Sequence, residues 1–318
     1  MSSELQSVRT QVQKVIIDEE YQGQRIDNYL INFLKGVPKT LVYRILRKGE
    51  VRVNKKRVKA PYRIQAGDEI RIPPVRMAAK DDKPSLPLQQ IAFLEDKIIY
   101  EDDYFLVLNK PSGMASHGGS GIVVGVIEAF RQLRPNAKSL ELVHRLDRPT
   151  SGCMVIAKRR SALRSLQEQL REKKMNKRYH CLVRSDWPAD RKTVKAPLLR
   201  FLTRSGERMV KVSDEGKPSE TRFRVLKHYP NANLMEAAPL TGRTHQIRVH
   251  CQHVGFPIAG DDKYGREQFN QTMEQKGLKR LFLHAAKLEF NHPADERRVS
   301  FEADYDPQLL QVLERLEK

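Results

Sequence analysis

Between Pro73 and about Glu95 the chain is rich in helix and strand breakers and in charge: Pro73-Pro74 opens the stretch and Lys80-Asp81-Asp82-Lys83-Pro84 lies inside it. Such a segment has too few apolar side chains to join a core and reads as a linker. It splits a chain of 318 residues, already longer than one hydrophobic core usually serves, into two parts. The expected organisation is a loosely ordered polar leader over residues 1–22, a compact module over 23–72, the linker over 73–95 and a large domain over 96–318.

In the small module, Ile26, Tyr29, Leu30, Phe33 and Leu34 keep helical spacing until Gly36 and Pro38 break the pattern. A second helix is expected from Pro38 or Thr40 to Lys48, with Leu41, Ile45 and either Val42 or Leu46 inward and Gly49 as its stop. Val51-Arg52-Val53, a turn at Asn54-Lys55, Arg57-Val58 and Asp68–Ile72 alternate like short strands. Between Lys39 and Lys59 stand nine basic residues and one acid, Glu50. Lys39, Arg44, Arg47, Lys48, Arg52, Lys55, Lys56 and Arg57 would form one cationic surface at a helix end and the adjoining hairpin. A merely solvated face is the plain alternative, but the absence of compensating acids favours phosphate binding. Two helices followed by Val-Arg-Val-Asn-Lys-Lys-Arg are similar to the S4 RNA-binding domain over about residues 23–72.

The whole chain shares that bias. Lys and Arg total 58 against 39 acidic residues, a formal charge of +19, which favours a polyanionic partner: nucleic acid first, an anionic membrane second. No apolar run approaches the roughly 20 residues that span a bilayer, and the polar start Met1–Lys14 lacks the apolar core of a secretory signal, so a soluble cytoplasmic protein is expected. Cys153, Cys181 and Cys251 are far apart, which argues against a disulfide framework. His250, Cys251 and His253 would point in different directions from one helix, so no metal site is expected.

In the large domain, Ile98–Tyr100 and Phe105–Leu108 flank acidic turn residues and read as strand, turn, strand. His117-Gly118-Gly119-Ser120-Gly121 fits neither a P-loop nor a nucleophile elbow and is read as a flexible loop near the substrate. Ser161–Arg171 is helical, with Ser161 a capping-type residue and leucines at 163, 166 and 170 in the core. Thr244 is placed to cap a helix running toward Val254, and Pro307–Glu317 forms a terminal helix. Strands and helices mix without regular alternation, so the fold class is α+β, with a large mixed sheet.

Leu142-Val143-His144-Arg145-Leu146-Asp147-Arg148-Pro149-Thr150-Ser151-Gly152 leads into the apolar run Cys153–Ala157, which puts Asp147 in a loop between two buried elements. There it could be a turn former beside Pro, Thr, Ser and Gly, or a catalytic carboxylate on a rigid scaffold. Tyr179, in the strand-like Arg178–Val183, is open to the same doubt, since buried tyrosines are common.

His-Arg-Leu-Asp with Thr-Ser-Gly, then Lys177-Arg178-Tyr179, then Thr241-Gly242-Arg243-Thr244-His245-Gln246-Ile247-Arg248-Val249-His250 in that order resemble the RNA pseudouridine synthases of the large-subunit ribosomal RNA type, from about Tyr100 onward. The resemblance implies isomerisation of uridine to pseudouridine in RNA, 23S ribosomal RNA first, by a monomer without a cofactor. It makes Asp147 the nucleophile, pairs Arg248 with it, lines the pocket with Tyr179 and sends Arg145 into the RNA stack beside the flipped nucleotide. It adds Leu283, in the strand-like Leu281–Phe290, to the base-contacting set. A pocket desolvates a carboxylate and disfavours its charge, and a paired arginine reverses that tendency. The competing expectations are a non-catalytic ribosome-assembly factor with Asp147 as a turn residue, the same isomerisation on transfer RNA, and a hydrolytic glycosidase or nuclease, for which no second carboxylate stands beside Asp147.

Overall fold

The computed structural model describes residues 7–9, 11–34, 36–78, 86–119, 124–188 and 190–318. The chain divides into two compact units, residues 1–85 and 86–318.

The first unit runs β1 (Ser7–Arg9), β2 (Gln13–Ile16), α1 (Ile26–Phe33), α2 (Lys39–Arg47), β3 (Arg52–Val53), β4 (Lys56–Arg57), β5 (Glu69–Ile72) and β6 (Arg76–Ala78). β2, β5, β3 and β4 form an antiparallel sheet in that order, and β1 pairs with β6. Ile26, Tyr29 and Leu30 of α1 pack with Val42, Ile45 and Leu46 of α2 and with Val53, Ile70 and Ile72. Both helices therefore bury the apolar faces that their spacing defines. Asn54 and Lys55 both have positive φ, at 47° and 67°, the geometry of a two-residue hairpin between Val53 and Lys56. Lys39, Arg44, Arg47, Lys48, Lys55, Lys56 and Arg57 are exposed, while Arg52 is half-buried with its guanidinium on the Lys55 carbonyl at 3.3 Å. Among the described residues none of these eight pairs with a carboxylate, so their charge faces solvent unneutralised.

Two expectations about the unit's edges need correction. Residues 13–22 are not a loose leader: Val15 lies opposite Ile70 in the sheet and Ile17 is 2% exposed, because the β-branched run Val15-Ile16-Ile17 supplies one more strand. Nor is 73–95 a linker throughout. Residues 76–78 pair with β1, and Ile91 and Leu94 are buried in the second unit, leaving 79–85 outside the described residues.

The second unit runs α3 (Leu88–Ile91), β7 (Ile98–Glu101), β8 (Phe105–Lys110), α4 (Val126–Leu133), β9 (Glu141–Leu142), β10 (Ser151–Ala157), α5 (Arg160–Arg171), β11 (Asn176–Arg184), β12 (Thr193–Lys195), β13 (Leu198–Leu202), β14 (Arg208–Val212), β15 (Glu220–Tyr229), β16 (Ala232–Pro239), α6 (Gln246–His253), α7 (Glu267–Gln275), β17 (Leu283–Asn291), β18 (Arg298–Glu302) and α8 (Pro307–Glu317). The main sheet has the order β12-β15-β16-β11-β17-β10-β8-β7, with β18 beside β17 and β9 beside β10, while β13 and β14 form a separate hairpin. β17 is parallel to β10 but antiparallel to β11 and β18, so the sheet is mixed and the fold is α+β.

Period-two alternation distributes β8 and β10 between two cores. Leu106, Leu108, Met154 and Ile156 pack toward α4, whereas Phe105, Val107, Cys153 and Val155 pack toward α5. β10 is buried along its whole length for that reason. Ser161 does not cap α5, whose N-cap is Arg159, and Thr244 does not cap α6, whose N-cap is His245.

Where β10 leaves the Asp147 loop it meets β17, with Gly152 opposite Ala285. Gly152 has φ +105°, and a Cβ there would stand 2.3 Å from the Ala285 carbonyl oxygen. Backbone strain and overpacking add, so Gly152→Ala should cost about 3 kcal/mol. Urea unfolding followed by circular dichroism measures this, and a midpoint matching wild type would contradict so close an approach.

Candidate active site

Asp147 sits on a loop whose backbone is held on both sides. Before it, the Ser116 hydroxyl donates to the Leu146 carbonyl at 2.7 Å and accepts from the Leu146 N–H at 3.0 Å. After it, the Arg148 carbonyl accepts from the Gly113 N–H at 2.9 Å and from the Lys110 Nζ at 3.3 Å. Lys110 is 0% exposed and also donates to the carbonyls of Pro111 and Met114, both at 2.8 Å, so one side chain ties two loops of chain together through three carbonyls. Burial pushes its pKa down to about 7, against the opposing pull of the Asp147 charge. Buried Val143 and Leu146 complete the anchoring.

The Asp147 side chain is 32% exposed, and its Oδ2 lies 3.9 Å from Nε2 of His245. Its charge also acts on Lys110, Tyr179, Arg248 and Tyr264. Tyr179 comes from the middle of the sheet on β11 and packs against the cores on either side. Its hydroxyl has no hydrogen bond from the described residues. Burial, and then the Asp147 carboxylate, push its pKa up, so the phenol keeps its proton for an incoming acceptor.

The expected pairing of Arg248 is corrected. Arg248 is 1% exposed and gives Nε and Nη2 to the two oxygens of Asp261 at 2.7 and 2.6 Å, with a further bond from Nη2 to Asp262 at 3.1 Å. Asp261 is itself fixed by the backbone N–H groups of Lys263 and Tyr264, both at 3.0 Å. The α6 position that buries Arg248 thus points it at the loop after Ile258, and Asp147 reaches it only through the weaker, longer-range attraction of its charge.

His245 stands between the two carboxylate groups in the unusual left-handed region, with φ 52°. The Tyr264 hydroxyl accepts from the Val210 N–H at 3.0 Å and shares a hydrogen bond with Nδ1 of His245 at 2.8 Å, which fixes the ring with its Nε2 edge toward Asp147. Burial lowers the pKa of His245 in spite of Asp147.

Arg145 is exposed, and its Nη1 lies 3.0 Å from Nε2 of His117. The loop that carries His117 begins as expected beside the site: the Gly118 N–H is held by Glu128 at 2.8 Å, while Ser120 and Gly121 lie outside the described residues. Leu283 is not with Arg145. It is 4% exposed in the core with Ile247 and Met235, so it is in no position to enter an RNA stack. Sequence reasoning missed His245, Tyr264 and Asp261. His245 lies inside the Thr241–His250 segment with nothing in its spacing to separate it from the helix that follows, and Asp261 is signalled by nothing more than an acidic pair after Gly260.

The site also carries acid sensitivity. Nε2 of His144 accepts the Val155 N–H at 3.2 Å, and burial, then the charge of Lys177, hold its pKa at about 4. His284, between Ser151 and the Ala303 carbonyl, is likewise held at about 4 by burial. The unfolded chain takes up these protons near pH 6.5, so the stability present above that pH is lost as the pH falls from about 6.5 through about 4. The urea midpoint should be level at neutral pH and decline below it, whereas a level midpoint down to about pH 4.5 would show these histidines to be exposed.

Residues 104–253 match the family described as RNA pseudouridylate synthase, and residues 24–70 match the S4 domain. The chain is 58% identical to ribosomal large subunit pseudouridine synthase C of Salmonella typhi and 57% identical to that of Escherichia coli (strain K12), covering 99% of this chain and 99% of each relative. Among solved structures it resembles human RNA pseudouridylate synthase domain containing 4, with TM-score 0.59 and 26% identity over 72% of this chain and 96% of that one. Human RNA pseudouridylate synthase domain containing 1 is similar with TM-score 0.54 and 29% identity over 66% and 83%.

Proposed function

The chain belongs to the RNA pseudouridylate synthase family and carries an S4 domain, and from that premise we propose that it isomerises uridines of large-subunit ribosomal RNA to pseudouridine with Asp147 as the nucleophile. The reaction breaks the bond from the ribose anomeric carbon to N1 of uracil, turns the base and joins the same carbon to C5. The C5 proton leaves and N1 gains one. Substrate and product contain the same atoms, so no oxidant, reductant or group donor enters the balance.

One observation carries the reading. A carboxylate on a loop pinned from both sides has its charge within reach of a half-buried tyrosine whose hydroxyl has no hydrogen-bond partner among the described residues. A carboxylate so held serves three routes: attack on the anomeric carbon, addition to the uracil ring, or assistance to a glycal intermediate. In each, Tyr179 donates a hydrogen bond to the base or moves its proton, and the seated nucleotide itself covers the half-exposed carboxylate against the water that would turn isomerisation into loss of the base.

Arg248, anchored by Asp261, supplies a fixed positive charge near Asp147 rather than a direct partner. Arg145, exposed at the mouth beside His117, is the side chain that takes the place of the extruded nucleotide. The cationic surface of the first unit binds RNA backbone and raises the local concentration of target around the second. All these groups come from one chain, which acts as a monomer in the cytoplasm, where ribosomal RNA is found.

The test is tritium release from uridine labelled at C5 in a large-subunit ribosomal RNA transcript. Release without free uracil and without strand scission is the expected result. Free uracil would indicate a glycosidase, scission a nuclease, and release only from transfer RNA would move the substrate.

A further inference from the structure

β11 and β16 pair from Arg184 opposite Ala232 as far as Tyr179 opposite Ala237, and there they part. β16 continues along β15, with Ala238 opposite Arg222, while residues 176–178 of β11 stay with β17. The parting opens a cleft of about 280 Å³ lined by Lys177, Arg178, Arg222, Arg224, Glu236 and Thr241 among others. Glu236 is already engaged by Arg178 at 2.9 Å and Arg224 at 3.2 Å. Lys177 and Arg222 have no carboxylate partner among the described residues.

Lys177 is the more informative of the two. Its ammonium makes no hydrogen bond to a described residue, and burial lowers its pKa. Its Nζ would lie 3.8 Å from a Cβ added at Gly242, and its charge acts on His144. The ammonium therefore stands between the loop that leads to Asp147 and the loop that leads to His245. It also shares a strand face with Tyr179, two residues and roughly 6.6 Å farther along, of the order of one step of an extended RNA strand. Lys177 is half-buried and Arg222 exposed, so two cations without a carboxylate partner among the described residues leave unneutralised positive charge in the cleft. A ligand that brings an anion there neutralises that charge and gains a charge-assisted hydrogen bond.

We propose that Lys177, with Arg222, forms a subsite for a phosphodiester of the RNA strand adjoining the nucleotide whose base reaches Asp147, an inference that rests on the proposed RNA isomerisation. The subsite fixes where the target ribose stands, and so which atom of it the carboxylate meets.

The test uses the full chain and a large-subunit ribosomal RNA transcript. Lys177→Gln should raise KM about tenfold with kcat within about twofold, as loss of a backbone contact does. The slope of log affinity against log salt, read by filter binding, should become shallower by about 0.7 to 0.9, the share of one phosphate. Lys177→Arg should restore most of both, and Arg222→Gln should shift them in the same direction as Lys177→Gln. Unchanged KM and slope in Lys177→Gln would overturn the subsite. So would a loss of kcat at constant KM, which would place Lys177 on the reacting base instead. Should Lys177→Gln fail to fold, the slopes of Arg222→Gln and Lys177→Arg decide. If the wild-type chain releases no tritium, the isomerase reading fails, yet the filter-binding slopes still decide whether the phosphate contact exists.

Discussion

Asp147→Asn should abolish tritium release from C5-labelled ribosomal RNA, by a factor on the order of 10⁴ or more, while RNA retained on a filter stays near the wild-type level. The magnitude is that of removing a nucleophile from a site that otherwise still binds. The substitution keeps the shape and removes one charge. The loop it sits on is held by the backbone of Leu146 and Arg148 rather than by the carboxylate, so the fold should survive. Arg248 keeps Asp261 as its partner. This result separates an enzyme from an RNA-binding assembly factor, in which residue 147 would be only part of a turn. Turnover within tenfold of wild type would remove Asp147 from the chemistry.

Arg248→Ala should lower stability by about 3–5 kcal/mol, because it leaves Asp261, whose side chain is 0% exposed, without its counter-ion. For a unit of this size the loss corresponds to a fall in Tm of roughly 10 °C or more. Asp262, which accepts from the same Nη2, contributes little to that loss, being 76% exposed. Asp261→Asn should be damaging as well, and the double variant Arg248→Met with Asp261→Asn should recover part of the stability without recovering activity, since it removes both buried charges but also the cation near Asp147. Calorimetry and tritium release read the two effects separately. Near-wild-type turnover in Arg248→Ala would take Arg248 out of the site, and an unchanged Tm would contradict the buried pair.

The contrast between Arg248 and its neighbours shows what a sequence carries and what it does not. Periodic features were legible: the apolar faces of α1 and α2, the strand-turn-strand of β7 and β8, and the bounds of α8, Pro307–Glu317, all follow from local spacing and breakers. The order of the His-Arg-Leu-Asp, Lys-Arg-Tyr and Gly-Arg-Thr-His-Gln segments points to the family from the sequence alone. Pairings between distant loops leave no such trace. The carboxylate that holds Arg248 lies 13 residues away at a position set by tertiary packing, and a family expectation that pairs Arg248 with Asp147 gave no reason to look for it. Thr244 had the chemistry of a cap, yet the chain turns one residue later, where tertiary contacts hold His245 in the left-handed region. The strand at 13–16 was hidden because Val15-Ile16-Ile17 is a short apolar run without alternation in sequence, with Ile16 left 63% exposed and Ile17 buried.

The three carbonyl bonds of Lys110 leave the loop beside it without a hinge. A reactive group held so firmly leaves more of the adjustment to the nucleic acid. On the proposed reading, part of the discrimination between one uridine and another then falls to the RNA itself, favouring positions whose local helix unstacks at low energetic cost.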